Sequence, residues 1–459
     1  MIKKNFIQII LFILSILILI YTFYKSEIVW LGDKRSYYFT YYLLSFIIFS
    51  LSVLYLFLNN KTKQVISISL ICCLFSLYLF EAFKTYEKYK IINIKTTEKI
   101  FLNKKIKEYF TSTGKKFDTR DKSEVYKDLK KANNNVVMAV YPSLSYMGKK
   151  DIDIFPLAGI SNSRTIHCNE NGFYSLYNSD RYGFNNPDKV WDSTNIDYIL
   201  IGDSFVHGDC VNRPNDIASV IRNLSKKNVI NLGYGSNGPL LEFATLKEYF
   251  NKKVKNVIWF YYEENDNQNL LNEIKDEFLL RYISDKNFSQ NLSKKQVKIN
   301  LIVENEIKNS LSKFQKNQTK QAITKKHERL KLYQFFKLWE TRILLNNYLP
   351  ENSKPSYSLH PKLDDIFRLT KEFLENNNTN FYVVYLPRYQ LPRPKIIEDH
   401  YLGIKNITNK YSIPLINIYD FFDNEDDPLK YYPFRMRGHF NEVGYKNIGN
   451  IVYNYVKEH

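Results

Sequence analysis

The sequence predicts an α/β protein built on a five-stranded parallel sheet, preceded by three membrane-spanning helices and carrying a helical insertion. Three observations predict it. Apolar runs at Phe6–Tyr24, Tyr38–Leu58 and Val65–Phe80 are long enough, the last with some tilt, to cross a bilayer as helices. From residue 196 onward, short apolar runs alternate with helical stretches, the pattern of strands covered by helices on both faces. Between the third and fourth of those runs, about residues 267–355 break the alternation and keep a helical period.

At 459 residues there is room for more than one domain, and a composition 24% charged and 44% hydrophobic excludes disorder throughout. The net charge of +18 is spread along the chain rather than gathered on one element. No nucleic-acid motif accompanies it, so a membrane surface is the better-matched partner than nucleic acid. The expected division is a membrane region at 1–83, a polar, Lys-rich helical stalk or linker at 84–135, and a domain at 136–459 with the insertion inside it.

Lys3 and Lys4 precede the first apolar run, and no small-residue cleavage site follows Tyr24, so the run reads as a retained anchor. Lys3, Lys4, Lys61 and Lys63 on one side of the bilayer outnumber Lys25, Lys34 and Arg35 on the other by one charge. That places everything after the third span outside the cytoplasm. Cys72 and Cys73 fall inside the third run and read as membrane packing. Cys168 and Cys210 are either two buried free thiols or, in an oxidising compartment, a disulfide.

Residues 136–192 are dense in Gly, Asn, Asp and Pro, including Cys168-Asn169-Glu170-Asn171-Gly172 and Tyr182-Gly183-Phe184-Asn185-Asn186-Pro187, which marks turns between short strands. This segment either packs on the domain's edge or shapes substrate entry. Strands are expected at Ile199–Gly202, Asn228–Leu232, Val257–Tyr262, Phe381–Leu386 and Ile413–Ile418. Helices are expected at Pro214–Leu224, at Pro239–Phe250, around Leu363–Leu374 and at Glu442–Val456. In the insertion, Leu270, Leu271, Ile274 and Phe278, then Leu332, Phe335, Phe336, Leu338 and Trp339, hold helical spacing. The basic stretch Lys308–Lys331 is either a solvated face or a contact with anionic lipid headgroups.

The chemistry gathers at strand ends. Ser204 follows the first strand in Gly202-Asp203-Ser204, where an open α/β sheet places its ligands; it is either a nucleophile or a helix cap. After the second strand, Gly233-Tyr234-Gly235-Ser236-Asn237-Gly238 is a turn that can expose backbone N–H groups. Asn265, after the third strand, is an uncharged donor suited to an oxyanion, or else a cap. Of seven histidines, His439 alone lies in the loop before the last helix, where an imidazole could act as general base. His207 is expected to flank a helix and point away, and His167, His327, His360, His400 and His459 have no supporting context. No cluster of His or Cys has metal-site spacing, so neither a metal nor a cofactor is expected.

Gly202-Asp203-Ser204, the glycine turn at Gly233–Gly238, Asn265-Asp266 and His439, in that order, resemble the four blocks of the SGNH (GDSL-type) hydrolase superfamily. The segment ending in Asn185-Asn186-Pro187 is similar to the approach to the serine block in bacterial membrane-anchored members. The resemblance implies a flavodoxin-like α/β/α sandwich with Ser204 as nucleophile and His439 as base. It implies an oxyanion hole from the backbone N–H groups of Ser204 and Gly235, with Gly233 the alternative glycine, and the Asn265 side chain. The implied activity is cleavage or transfer of ester-linked acyl groups. Tethering to a bacterial inner membrane, with the domain outside the cytoplasm as the charge balance has it, suits an acylated glycan or lipid of the envelope as substrate.

Two positions depart from the family pattern. Glu263 stands where the third block has glycine, and Met436 stands where the fourth has the aspartate that orients the histidine. Another acid, a backbone carbonyl, or an inactive site are the alternatives this leaves. An inactive protein that binds a glycan or protein partner is therefore the competing reading.

Overall fold

A computed structural model describes residues 6–91, 94–149, 152–250, 252–317, 332–348, 359–389 and 395–459. Lys3, Lys4 and most of the Lys308–Lys331 run lie outside the described residues. The chain divides into two compact units, Met1–Lys99 with Thr319–Ser356, and Ile100–Gln318 with Tyr357–His459.

In the first unit, three helices are long and apolar enough to cross a membrane, at Ile9–Val29, Arg35–Phe57 and Asn60–Glu87. Leu17, Phe39, Phe46 and Ile71 are each more than half exposed. A helix that turns its large apolar side chains outward needs an apolar solvent. Polar contacts lie between the helices instead: Ser45 Oγ donates to the Ser15 carbonyl at 2.7 Å. Cys72 and Cys73 are free and face outward from the third helix rather than packing between helices.

The second unit opens with a small three-stranded sheet, β1 (Val136–Met138), β2 (Arg164–Ile166) and β3 (Leu176–Asn178), with β1 parallel and β3 antiparallel to β2. The main sheet has β4 (Asn195–Ile201), β5 (Val229–Asn231), β6 (Lys253–Tyr262), β7 (Asn380–Leu386) and β8 (Leu415–Asn417), all parallel, in the order β5-β4-β6-β7-β8. This is the flavodoxin-like order, and the fold is the expected α/β/α sandwich. Strand alternation divides the core. Ile199, Ile201, Trp259 and Val383 face the helices Pro239–Tyr249 and Pro361–Glu375, while Leu200, Ile258, Phe260 and Val384 face Ile217–Ser225 and Glu442–Glu458. Both faces are buried, which is why the strands read as unbroken apolar runs.

The expected insertion is helical where it is described, but its pieces belong to different units. Asp266–Glu273, Glu277–Ser284 and Gln296–Asn317 send Leu270, Leu279, Ile299 and Val303 into the core of the second unit. Trp339–Tyr348 belongs with the apolar helices. The strand order reverses at β4, so the loop after β4 borders the crevice where such sheets hold ligands.

Candidate active site

Ser204 is the first residue of a short helix, Ser204–His207, that begins directly after β4. The capping role falls to Asp203, whose carboxylate accepts from the Phe205 N–H at 2.9 Å. That frees the serine hydroxyl for other partners. Ser204 Oγ lies 2.8 Å from His439 Nε2 and 3.3 Å from Asp203 Oδ2. His439 reaches it from the loop before Glu442–Glu458 across 235 residues of chain.

The acid facing His439 is Glu170, which the sequence places only in a turn. Its Oε1 is 3.1 Å from His439 Nδ1, and its Oε2 accepts the His439 backbone N–H at 2.6 Å. Met436 offers no carboxylate, and Glu170, from the β2–β3 loop, takes the orienting position instead. Gly438 makes room for it, since a Cβ there would sit 2.6 Å from Glu170 Oε2. The loop is tied down on both sides of Glu170. Cys168 and Cys210 are joined as a disulfide, with Cα atoms 4.9 Å apart. Asn169 donates to the Asp118 carbonyl at 2.7 Å, and Asn171 donates to the Cys210 carbonyl at 2.9 Å.

A second carboxylate approaches from behind. Asp209 Oδ2 is 3.8 Å from His439 Nε2, and its Oδ1 is 3.1 Å from His207 Nδ1 and 3.4 Å from His167 Nε2. The two rings stack with centroids 4.5 Å apart. His167 and His207 thus do have a context: they surround the carboxylate that backs the Ser204–His439 pair. The separations are short, but His167 Nε2, His207 Nδ1 and Asp209 Oδ1 do not align as hydrogen bonds. We read the contacts as electrostatic, with His167 kept neutral because burial pushes its pKa well below the usual value.

Electrostatics set the protonation of the base. Burial works against a charged His439. The Glu170 hydrogen bond, with the negative charges of Asp209, Glu170 and Asp203, overcomes it and pushes the imidazole up to about 9. Burial likewise opposes ionisation of Glu170, but the His439 ring and backbone N–H hold its carboxyl below the usual range. At neutral pH the resting pair is therefore carboxylate and imidazolium. The single Ser204 proton then points to Asp203, and Nε2–H donates to Oγ.

The remaining predicted residues cluster here too. Asn265 precedes the helix Asp266–Glu273 without capping it; its Nδ2 donates to Asp203 Oδ2 at 3.1 Å, on the carboxylate that also receives Ser204. The Gly233 N–H, the alternative donor of this turn, is taken by Asn231 Oδ1 at 2.9 Å. A Cβ on Gly235 would lie 2.5 Å from the Tyr141 ring and 3.6 Å from Asp209 Oδ2, so the turn runs along the site's wall. Glu263 turns away, accepting the Arg388 N–H at 3.1 Å beyond the end of β7. Two donor groups of metal-ligating type, His167-Cys168-Asp209 and Glu170-Cys210-His439, each include a sulfur engaged in the disulfide. A disulfide sulfur is not the thiolate that a metal takes as ligand. Beside the loops carrying Glu170 and His439 lies a cavity of about 1330 Å³, lined among others by Lys104, Lys107, Tyr109, Asn171, Phe434 and Asn441.

No family model matches the chain. No curated protein matches it either. Among solved structures, a protein from Desulfitobacterium hafniense described as lipolytic and of the G-D-S-L family is 13% identical, covering 57% of this chain and 99% of its own at a TM-score of 0.31. The acetyl xylan esterase AlAXEase is 11% identical, over 57% of this chain and 100% of its own, at 0.31. A lipase/acylhydrolase from Enterococcus faecalis is 12% identical, over 57% and 96%, at 0.30. At these identities the likeness says nothing about activity.

Proposed function

We propose that this protein is a membrane-anchored serine esterase or O-acyltransferase, acting on ester-linked acyl groups of an envelope glycan or lipid through an acyl-enzyme on Ser204. The observation that carries the reading is the continuous chain from Glu170 through His439 to Ser204 Oγ, with contacts of 3.1 and 2.8 Å. Nucleophile, base and orienter within hydrogen-bond reach are what covalent acyl transfer requires.

In the reaction, neutral His439 takes the Ser204 proton as Oγ attacks the ester carbonyl. Carbonyl electrons move to the oxygen, which the backbone N–H groups of Ser204 and Gly235 and the Asn265 amide would stabilise. The imidazolium, held by Glu170, passes its proton to the departing alcohol as the C–O bond breaks. Water or a sugar hydroxyl, deprotonated by His439, then releases the acyl group from Ser204. The two outcomes differ only in the second nucleophile.

Support for a large polar substrate comes from the adjoining cavity, whose lysines, aromatic rings and asparagines suit an acylated glycan or a lipid headgroup. The three apolar helices support anchoring, and the Cys168–Cys210 disulfide supports an oxidising compartment. With the charge asymmetry around the spans, this favours the bacterial cytoplasmic membrane with the hydrolase unit outside it. The reading as an inactive binding protein rests on Met436, and the Glu170 carboxylate at His439 Nδ1 weighs against it.

The test uses the full-length chain in detergent or bilayer. A fluorophosphonate should label Ser204, a short-chain aryl ester should be hydrolysed, and Ser204→Ala should abolish both. Hydrolysis indifferent to that substitution, with no label on Ser204, would defeat the proposal.

A further inference from the structure

The third apolar helix carries one acid deep in its surface, Glu81, which is fully buried. A carboxylate in a membrane span is costly unless paired or hydrogen-bonded. Here the partner is the N-terminus of the helix Trp339–Tyr348, from the same compact unit. Glu81 accepts the Glu340 N–H at 2.9 Å, the Thr341 N–H at 2.8 Å and the Thr341 hydroxyl at 2.7 Å. The residue before that helix is Leu338, which has no side-chain acceptor to cap it. Each group thus satisfies what the other lacks: the helix start gains a cap, and the carboxylate gains donors without water. The preceding turn is fixed to the same helix, with Tyr78 OH donating to the Phe336 carbonyl at 3.2 Å and the Tyr78 and Phe335 rings 5.6 Å apart.

The other side of this segment has large apolar residues in the open. Leu332, Tyr333, Phe336, Trp339 and Ile343 are 56%, 57%, 66%, 42% and 41% exposed. Their neighbours Lys337 and Arg342 are basic, and Lys337 Nζ lies 4.1 Å from the Tyr333 ring centre. Exposed Trp, Tyr and Phe interspersed with Lys and Arg form the composition of an element lying at a membrane surface. The patch is attached to a helix whose own exposed residues Leu74, Phe75 and Leu79 are of the same kind. We propose that residues 332–344 lie in the lipid interface beside the third span, with Leu332, Tyr333, Phe336, Trp339 and Ile343 in contact with acyl chains and Glu81 capping the helix from within the span. The proposal rests on the membrane-anchored reading. It means that the sequence inserted into the hydrolase-like unit returns to the bilayer, a second point of attachment.

The test uses the full-length chain in bilayer nanodiscs of acyl-brominated phosphatidylcholine. Trp191 and Trp259 are 2% and 0% exposed, so Trp30 and Trp339 are the reporters that bromine can reach. In Trp30→Phe, brominated lipid should quench a component that Trp339→Phe removes. In Trp339→Phe alone, quenching of Trp30 reports the spans. Quenching of Trp30 with Trp339 reached only by aqueous iodide would overturn the interface while leaving the anchor; quenching of neither would overturn both. Trp339 shielded from both quenchers, with Phe336→Cys cross-linking two chains, would replace lipid by a second copy and overturn the proposal. Glu81→Ala should speed amide exchange at Glu340 and Thr341 about tenfold, with a smaller effect for Glu81→Gln, as loss of a cap does. Unchanged exchange in both would overturn the capping role.

Discussion

Replacing Glu170 by glutamine tests the site most sharply. The carboxylate uses one oxygen for His439 Nδ1 and the other for the His439 backbone N–H, at 3.1 and 2.6 Å. Glutamine has only one acceptor oxygen. If it keeps the shorter backbone contact, the amide NH₂ faces Nδ1 and favours the tautomer protonated at Nε2, which cannot accept the serine proton. A wrong tautomer in a triad of this logic costs on the order of 10³- to 10⁴-fold in kcat, or about 4–5.5 kcal/mol of transition-state stabilisation. Loss of the opposite charge also lowers the imidazole pKa from about 9 by roughly one to three units. The assay is aryl-ester hydrolysis by the full chain from pH 5 to 10. The wild type should gain kcat/KM up to about pH 9 as His439 loses its proton. Glu170→Gln should be far slower, with its acidic limb displaced to lower pH, and Glu170→Asp should recover part of the rate. A glutamine variant within threefold of wild type with an unmoved limb would refute Glu170 as the positioning residue.

Stability should run opposite to activity. His439 has a folded pKa of about 9 against an ordinary value of 6.5, so its contribution is fully present below pH 6.5 and is lost as pH rises through about 9, visible as a falling Tm across that window. Asp209→Asn removes a buried negative charge 3.8 Å from Nε2 and should move the acidic limb of kcat/KM down by about one unit; an unmoved limb would deny Asp209 a part in holding the imidazolium. Gly235→Ala drives a methyl to 2.5 Å from the Tyr141 ring, so about 1–3 kcal/mol of stability should be lost in denaturant titration, with a drop in kcat. Cys168→Ser opens a loop of sequence separation 42, worth roughly 4 kcal/mol in the chain-entropy model, and should lower the Tm while reducing kcat as Glu170 loosens.

The main sheet was legible because its strands are buried on both faces, so Ile199, Ile201 and Val383 needed no partner information to read as strand. Ser204, Asn265 and His439 were legible for a related reason: in a parallel sheet, residues just beyond strand ends converge whatever their separation in sequence. Glu170 lies on a loop of the small sheet, where position depends on how an irregular segment folds back, and its own residue type and turn setting do not mark it as the partner of His439. One clue was present. Cys210 is six residues past Ser204 and Cys168 is two before Glu170, so a disulfide between them brings that acid to the serine loop. Asp209 was hidden by proximity, since five residues after Ser204 it reads as ordinary helix-end polarity. The apolar spacing around Phe335 and Trp339 announced a helix, but its place on the third span depends on Glu81, which in the sequence looks like the polar end of a membrane segment.

Because Glu170 comes before the main sheet in the chain, the five strands by themselves do not carry everything that surrounds His439. A fragment started at Asn195 would retain every strand of the five-stranded sheet, but it would leave His439 without Glu170, Cys210 without its mate, and one face of the sheet without Phe155, Leu157, Phe184 and Trp191. Any excision, fusion or domain exchange made with this protein therefore has to carry the segment that supplies Arg164–Asn178 along with the sheet it serves.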